Sequence, residues 1–260
     1  MLCVEEAHKM TPLIETRALR RDFTLEKGAV VPALAAADIQ IYEKEFVCIV
    51  GPSGCGKSTL LRIIAGLDSP TSGEALWRGQ VITGPSSERG MVFQEYSLLP
   101  WRTVADNVAL GLEFRGKSKE ERRSAVSEYL TLVGLENFAE AKPHELSGGM
   151  RQRAAIARAL ANDPEVLLMD EPFGALDAHT RVLLQKELLR IWEQHKKTIV
   201  FVTHSVDEAL FLADRIIVMT NHPGRVLETI SVDFPRPRHR SADGYGVMTE
   251  RIFDLLEHSD

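Results

Sequence analysis

The chain has 260 residues, with 31 Lys and Arg against 37 Asp and Glu, which gives a formal net charge of −6. This length allows one large domain, or a domain with an inserted lobe, whose core folds without disulfide support. Hydrophobic residues make up 44% and charged residues 26%, which excludes wholesale disorder. No stretch approaches the roughly 18 consecutive apolar residues of a membrane helix, and the acidic balance argues against nucleic acid as the main partner.

The N-terminus and the cysteines bear on the compartment of the protein. The first ten residues, MLCVEEAHKM, lack the cationic start and the apolar stretch of a signal peptide. The three cysteines, Cys3, Cys48 and Cys55, are odd in number and are not spaced as metal ligands. We therefore expect reduced thiols in a cytosolic compartment.

Short β-branched runs alternate with helical patterns along the chain, which is typical of βαβ units around a parallel sheet. Continuous apolar runs predict buried strands at residues 45–50, 166–169, 198–203 and 216–219, with shorter strands at 74–77 and 91–94. Helical periodicity follows Lys57 and recurs at residues 103–114, 119–133, 149–161 and 180–192. Residues 95–162 show no convincing strand, so we predict a helical lobe inserted into an α/β core. A linker punctuated by Pro and Gly begins at Asp233 and leads to an amphipathic segment at 247–256.

The strongest motif follows the predicted strand at 45–50. It matches G-x-x-x-x-G-K-[S/T] and leads into a helical run, the setting that a phosphate-binding P-loop requires. Glycines let successive N–H groups face one anion, and the helix adds its N-terminal dipole. Lys57 is expected to reach the outer phosphates, and the Ser58 hydroxyl to join the Mg²⁺ shell. The predicted nucleotide-binding residues are Gly51, Pro52, Ser53, Gly54, Cys55, Gly56, Lys57, Ser58 and Thr59.

Two carboxylates, Asp170 and Glu171, follow the predicted strand at 166–169. This places them at the C-terminal edge of a parallel sheet, where ligands of open α/β folds bind. Asp170 suits a Mg²⁺ role, directly or through water, and Glu171 suits the general base that polarises an attacking water. Such a pair alone is more often a solvated turn, but beside a P-loop it predicts catalysis.

A further string, LSGGMRQ at residues 146–152, sets this chain apart from other P-loop proteins. Together with the P-loop, Gln94, Asp170-Glu171-Pro172, Leu176-Asp177 and His204, in that order of motifs, it resembles the ATP-binding-cassette (ABC) ATPases. The resemblance covers about residues 16 to 233. It implies an α/β fold with a P-loop (RecA-like) nucleotide-binding core, an inserted helical subdomain and an N-terminal antiparallel β region. The implied divisions are 12–94 and 163–232 for the core, 95–162 for the helical subdomain and 233–260 for a C-terminal extension.

The resemblance also implies ATP and Mg²⁺ as cofactors and a head-to-tail dimer that clamps two ATP molecules between its subunits. Ser147, Gly148 and Gly149 then address the γ-phosphate bound at the P-loop of a second copy. Ser147 has the character of a helix N-cap, whose first-turn N–H groups attract anions. The alternative is an ordinary capped helix with a glycine entry. Asp177 is implied to organise the dimer seam.

Three more roles are implied residue by residue. Gln94 corresponds to a glutamine that touches Mg²⁺ and water and links the core to the helical lobe. His204 corresponds to a histidine that contacts the γ-phosphate and braces the attacking water and Glu171. Phe23 is the candidate for stacking on adenine, although it stands 28 positions before Gly51, and residues 24–33 suggest an inserted loop. A core role for Phe23 stays open.

One position departs from the family pattern. A glycine commonly precedes the Glu-Phe that opens the P-loop strand, and this chain has Lys44 there. A left-handed turn at Lys44 costs about 1 kcal/mol relative to glycine, so we expect a different turn type.

Three strings resemble the nitrate/sulfonate/taurine importer group within the family. They are QEYSLLPWRTV at residues 94–104 with DNV at 106–108, EPFGALDA at 171–178, and VDFPRPR at 232–238. The resemblance implies an ATP-hydrolysing subunit, peripheral on the cytoplasmic face of the inner membrane. It would power import of a small anion such as a sulfonate, taurine or nitrate through a separate permease, served indirectly by a solute-binding protein. A soluble ABC ATPase without a permease stays open as the alternative, whereas a small-molecule phosphotransferase has no use for the LSGG string.

Two surface segments bear on partners. Residues 98–101, which include Leu98, Leu99 and Trp101, would form an apolar patch on the helical lobe for the permease. The alternative is that these side chains pack the core of the lobe. The basic residues at 236–240 could contact anionic lipid or the permease, but we expect a solvated linker there.

Overall fold

The fold is given by a computed structural model, which describes residues 11–174 and 176–258. Residues 1–10, Ala175 and residues 259–260 lie outside the described residues, and so do the predictions made for Cys3 and for the N-terminal segment. Cys48 and Cys55 are buried free thiols.

The described residues form ten strands and seven α-helices. The strands are β1 (Ile14–Thr24), β2 (Val30–Ile41), β3 (Phe46–Val50), β4 (Ser72–Trp77), β5 (Gln80–Val81), β6 (Arg89–Val92), β7 (Val166–Asp170), β8 (Thr198–Thr203), β9 (Arg215–Met219) and β10 (Val226–Ser231). The helices are α1 (Lys57–Ala65), α2 (Val104–Phe114), α3 (Lys119–Leu132), α4 (Gly148–Leu160), α5 (Ala178–His195), α6 (Val206–Leu212) and α7 (Tyr245–Glu257). Within this part of the chain, no helix has the length and apolar character needed to cross a membrane.

The larger sheet has the strand order β10-β9-β3-β8-β7-β6. The five strands β9, β3, β8, β7 and β6 are parallel to one another. Strand β10 pairs antiparallel with β9 at one edge of the sheet. Side chains alternate across β3: Phe46, Cys48 and Val50 join the core shared with the helical lobe, whereas Val47 and Ile49 join the core beneath α1 and the smaller sheet. Both faces are covered, which explains the continuous apolar runs and confirms the predicted α/β fold.

The smaller sheet is antiparallel, with the order β2-β1-β4-β5, and forms the predicted N-terminal β region. Phe23 pairs with Val31 and Thr24 pairs with Val30, so β1 and β2 form one long hairpin. The expectation of a loop across residues 24–33 is therefore wrong at 24 and 30–33, and only residues 25–29 form the connecting turn. The other residues belong to the two strands, because pairing in the hairpin satisfies their backbone N–H and C=O groups.

Residues 95–162 form the predicted helical lobe, which contains α2, α3, α4 and short 3₁₀ turns at Glu136–Phe138 and Pro143–Glu145, without a strand. Thr103, Ser118 and Ser147 each cap the helix that follows by accepting an N–H from its first turn. The lobe shares a continuous hydrophobic core with the parallel sheet. The predicted divisions after residues 94, 162 and 232 fall between elements and stay predictions.

The turn before β3 contradicts our expectation. Lys44 has a φ of +65°, in the left-handed region that we expected it to avoid. Its N–H donates to Oγ1 of Thr198 at 2.9 Å, and the Glu45 carboxylate accepts the N–H of Tyr42 at 2.9 Å. These hydrogen bonds offset the cost of about 1 kcal/mol, so the expected change of turn type is wrong.

The basic segment at 236–240 is not the solvated linker that we expected. Arg238 is only 5% exposed, and its guanidinium donates to main-chain carbonyls. Arg236 and Arg240 pair with Asp214 and Asp207. The expectation was wrong because the sequence displays the charges but not the folded groups that accept them. The amphipathic segment predicted after the linker is confirmed as α7.

Candidate functional site

The P-loop joins the end of β3 to the start of α1. Gly54 and Gly56 have φ values of +80° and +90°, in the left-handed region that glycine adopts without strain. A Cβ at Gly56 would lie 2.7 Å from the carbonyl oxygen of Ala33 on β2. The loop therefore needs glycine at this position both for its backbone angles and for its contact with the smaller sheet.

Lys57 begins α1 and is only 4% exposed. Its Nζ donates to the carbonyl oxygens of Gly51 and Pro52, at 2.8 Å each, so the side chain folds back over the loop. The ammonium group is thus held beside the N-terminus of α1, and both carry positive charge. This pair suits a phosphate anion.

The next residue, Ser58, reaches across to the end of β7. Its hydroxyl donates to Oδ1 of Asp170 at 2.8 Å. Burial raises the pKa of Asp170, and the charge of Glu171 acts in the same direction, whereas the bond from Ser58 opposes the rise. A hydroxyl and a carboxylate are the hard oxygen ligands that Mg²⁺ prefers, so these residues fit a Mg²⁺ site.

Glu171 and His204 lie at the ends of the adjacent strands β7 and β8. Oε2 of Glu171 is 3.1 Å from Nδ1 of His204. Glu171 has a φ of +42°, and its N–H donates to the carbonyl of Val202 at 3.0 Å. A glutamate in the left-handed region is strained, and such strain is found where the surrounding structure fixes a functional side chain.

Lys57, Ser58 and Glu171 line one open cavity of about 480 Å³, whereas Asp170 and His204 are not among its lining residues as the described part of the chain forms it. Its walls bring together several predicted site residues from separate parts of the chain. They are Phe23, Ser53, Gly54, Gly56, Lys57, Ser58, Thr59, Gln94 and Glu171. Gln94 lies two residues beyond β6, because the strand predicted at 91–94 forms at Arg89–Val92 instead. The cavity is therefore an oxygen- and nitrogen-rich site at the C-terminal edge of the sheet.

Phe23 is not a core residue, so the alternative left open for it is wrong. Its side chain is 38% exposed and lines the same cavity. The guanidinium of Arg21 lies 4.7 Å from the centre of its ring. One ring face is therefore engaged by a cation, and the ring stands at the cavity wall where a base could stack.

His222 is a cavity residue that the sequence did not suggest. It follows β9, and its Nδ1 lies 3.3 Å from the carbonyl oxygen of Gly54, to which it can donate. Nearby, a Cβ at Gly224 would lie 1.8 Å from the carbonyl oxygen of Cys55, so this loop touches the P-loop backbone. No local pattern marks such a residue, because the contact joins segments about 170 positions apart.

The remaining predicted residues lie elsewhere. Ser147 is exposed and caps α4 by accepting the N–H of Met150 at 3.3 Å, as predicted. Gly148 and Gly149 form the first turn of α4, and a Cβ at Gly149 would lie 2.7 Å from Cγ2 of Thr180. None of the three lines the cavity of the P-loop as the described residues form it. We call Ser147, Gly148, Gly149 and Asp177 the signature edge.

Asp177 caps α5 and is exposed. Its carboxylate accepts the N–H of Thr180 at 3.0 Å, and hydrogen bonds from Thr180 lower its pKa. The side chain stays anionic at neutral pH. The signature edge therefore presents a hydroxyl, the N-terminus of α4 and a fixed carboxylate on the surface.

In the apolar segment at 98–101, one side chain packs into the core of the helical lobe and another is exposed, so each of the two alternatives holds for part of the segment. Leu98 packs against the core of the lobe, whereas Trp101 is 70% exposed. The fully buried Asn107 holds the segment in place by accepting the N–H of Leu99 at 2.7 Å. The residue preceding this segment, Ser97, lines a groove of about 490 Å³, whose wall also includes Phe114, a side chain that is 85% exposed.

Comparison with known proteins identifies the family. The model of the ABC transporter family matches residues 34–174. The nitrate import ATP-binding protein of Synechocystis sp. is 52% identical over 222 residues, which cover 85% of this chain and 83% of the relative. The aliphatic sulfonates import ATP-binding protein of Bacillus cereus is 45% identical over 236 residues, 91% of this chain and 92% of the relative.

A solved structure gives the same result for the fold. It is a dimeric ATP-binding cassette in a post-hydrolysis state bound to ADP and Pi, which is 37% identical and superposes with a TM-score of 0.75. The match covers 84% of this chain and 98% of the cassette. On these grounds the chain belongs to the ABC transporter family and is one of its ATPases.

Proposed function

We propose that this chain is the ATP-hydrolysing subunit of an importer, and that it drives a small anion such as nitrate, a sulfonate or taurine through a separate membrane permease. Two of its relatives, at 52% and 45% identity, are named for import of nitrate and of aliphatic sulfonates. The protein would act at the cytoplasmic face of the membrane, where ATP is available. A solute-binding protein would deliver the solute to the permease.

Nucleotide binding is assigned to the cavity at the P-loop. Lys57 and the N–H groups at residues 51–59 hold the phosphates of ATP, and the exposed face of Phe23 supports the adenine. Ser58, Asp170 and Gln94 hold Mg²⁺, which neutralises phosphate charge when bound. The hydrogen bond of 2.8 Å between Ser58 and Asp170 supports this assignment, because the two oxygens already lie together.

The pair of Glu171 and His204 carries the proposal for hydrolysis. In this pair the carboxylate accepts a proton from the attacking water, as a general base. His204 donates its Nδ1–H to Oε2 of Glu171 at 3.1 Å and so fixes the direction of the carboxylate. Transfer of the γ-phosphoryl group then depends on positioning and charge stabilisation, to which Lys57 contributes.

The signature edge is assigned to a second copy of the chain. In a head-to-tail dimer, Ser147, Gly148 and Gly149 of one copy face the γ-phosphate at the P-loop of the other, and Asp177 lies along the seam. Exposure of Ser147 and Asp177 supports this assignment, because an exposed helix N-terminus is open to an anion from another molecule. The dimeric state of the related cassette supports it as well.

The permease is assigned to the surface of the helical lobe that carries Trp101 and the groove lined by Ser97 and Phe114. Trp101 and Phe114 are both largely exposed, and exposed aromatic side chains of this size on one lobe are typical of a protein contact. Arg158 on the groove wall donates to the carbonyl oxygens of Tyr96 and Ser97, close to Gln94. Movement at the nucleotide can therefore reach the groove through residues 94–97.

Co-purification tests this function. The tagged chain should recover a membrane permease from detergent-solubilised membranes of its own source. Trp101→Ala should lose the permease and keep its basal ATP hydrolysis, whereas Phe253→Ala, which truncates a half-exposed ring on α7, should keep both. Recovery of no membrane protein by the unaltered chain would favour a soluble ABC ATPase and contradict the importer.

A further inference from the structure

The segment between β10 and α7, residues 233–244, runs along α6 before the chain enters α7. We call it the strap. Its arginines at alternate positions, Arg236, Arg238 and Arg240, all contact α6 or the turn that follows it. Helix α6 begins with the N-cap Ser205, directly after His204. The strap therefore holds the helix that adjoins a proposed active-site residue.

Two of the arginines satisfy the C-terminal end of α6. Nη1 of Arg238 donates to the carbonyl oxygen of Leu210 at 2.9 Å and to that of Phe211 at 3.3 Å. Nη2 of Arg236 donates to the carbonyl of Leu212 at 2.6 Å. The last carbonyls of a helix lack intrahelical donors and carry negative partial charge, so cations stabilise them. Burial lowers the pKa of Arg238 to about 10, and the guanidinium stays charged at neutral pH.

Arg240 holds the N-terminal end of α6. Its Nε donates to Oδ1 of Asp207 at 2.7 Å, and its Nη2 donates to Oδ2 at 2.8 Å, in the bidentate geometry that gives a strong ion pair. The same Nη2 lies 2.9 Å from Oε1 of Gln185 on α5. The hydroxyl of Tyr245 also donates to Asp207. One arginine thus links α6 to α5, the helix that Asp177 caps.

Hydrogen bonds connect Glu208 of α6 with Thr203 and Ser205, the residues on either side of His204 in the sequence. Oγ1 of Thr203 donates to the buried carboxylate of Glu208 at 2.6 Å, and the N–H of Ser205 donates to Oγ1 of Thr203 at 3.0 Å. The N–H of Glu208 in turn donates to Oγ of Ser205 at 3.3 Å. A shift of α6 would therefore move the backbone on either side of His204.

We infer that Arg240 is a positioning residue for His204, and that the strap fixes α6 so that the imidazole meets Glu171. This inference rests on the proposed role of His204 in hydrolysis. It assigns to the C-terminal extension a part in turnover, although the extension contributes no lining residue to the nucleotide cavity among the described residues. The strap would act on hydrolysis and leave the binding of ATP unchanged.

The test uses the full chain and compares Arg240→Gln with unaltered protein. We expect kcat for ATP hydrolysis to fall about tenfold, since a displaced active-site group costs that much or more, while the Kd for ATP stays the same. Asp207→Asn should give a similar loss. Arg240→Lys should recover part of the rate, because lysine keeps the charge but not the fork that reaches both Asp207 and Gln185.

A matched control and a double variant exclude a general loss of structure. Arg251→Gln removes an exposed ion pair with Glu228 from the same extension and should leave kcat unchanged. In a His204→Ala background, Arg240→Gln should cause no further loss, because the residue that it positions is gone.

The outcomes separate the inference from the function on which it rests. If kcat is unchanged in Arg240→Gln while His204→Ala is slow, the inferred role of the strap is contradicted and the proposed function stands. An equal additional loss in the His204→Ala background also overturns the strap, since Arg240 would then act by another route. Full turnover in His204→Ala alone would contradict the proposed role of His204, and with it the inferred role of the strap in positioning that residue.

Discussion

The P-loop and the signature edge of this chain are built in different ways. At the P-loop, Lys57 is buried and bonded to two carbonyls, and Ser58 is already paired with Asp170. At the signature edge, Ser147 and Asp177 are exposed, and their hydrogen bonds cap their own helices. The difference teaches that the P-loop side chains are already held by partners within one copy, whereas the side chains of the signature edge remain open to the second molecule that we propose.

The largest expected effect lies at the carboxylate of the P-loop site. Glu171→Gln keeps the shape of the side chain and removes its basicity, so it should bind ATP and turn over at least about 100-fold more slowly. Steady-state ATP hydrolysis and a nucleotide-binding isotherm measure both quantities. Glu165→Gln, at the opposite end of β7, is the control and should hydrolyse normally. Near-normal turnover in Glu171→Gln would remove that residue from its role.

A smaller effect, on the affinity for ATP, should distinguish the P-loop from the signature edge. Lys57→Ala should weaken ATP binding by about tenfold or more, because a charged donor to the phosphates is lost. Ser147→Ala should leave ATP binding by a single copy unchanged, since in the proposed dimer that residue serves a second copy. Calorimetry at low protein concentration measures both, with Lys117→Ala, an exposed ion-paired lysine on the helical lobe, as the control. Equal affinity in Lys57→Ala and unaltered protein would contradict the P-loop assignment.

The smallest effect concerns the adenine. Phe23→Ala should raise the Kd for ATP about fivefold, through the loss of base stacking. Phe138→Ala truncates a ring of similar exposure on the helical lobe, 42% against 38%, and should change nothing. Competition with inorganic triphosphate, which has no base, should be insensitive to Phe23. Sensitivity of triphosphate binding to Phe23→Ala would mean that the ring supports the loop and not the base.

The sequence was sufficient for the parts of the site that follow from local pattern. Strand, loop and helix at the P-loop are adjacent in the chain, and Glu171 and His204 each end an apolar strand, so parallel pairing alone brings them to one edge. The fold was predictable for the same reason, since the strands are apolar on both faces. The N-cap at Ser147 also follows from local chemistry.

The sequence was insufficient wherever a distant partner decides the structure. Lys44 adopts left-handed angles because Thr198, 154 positions away, accepts its N–H. Arg238 lies in a segment whose composition is typical of a linker, yet its side chain is buried because it donates to carbonyl groups at the C-terminal end of α6. His222 reaches the P-loop only through the folded sheet. Such contacts leave no periodic signal in the residues that make them.

The oligomeric state of Glu171→Gln tests the central claim most directly, because this variant should bind ATP without consuming it. In sedimentation velocity the chain should be a monomer without nucleotide and with ADP, and a dimer with ATP and Mg²⁺. Adding Ser147→Arg should abolish the dimer while ATP still binds. A chain that stays monomeric at saturating ATP, or that dimerises equally well with the arginine in place, would contradict the shared site.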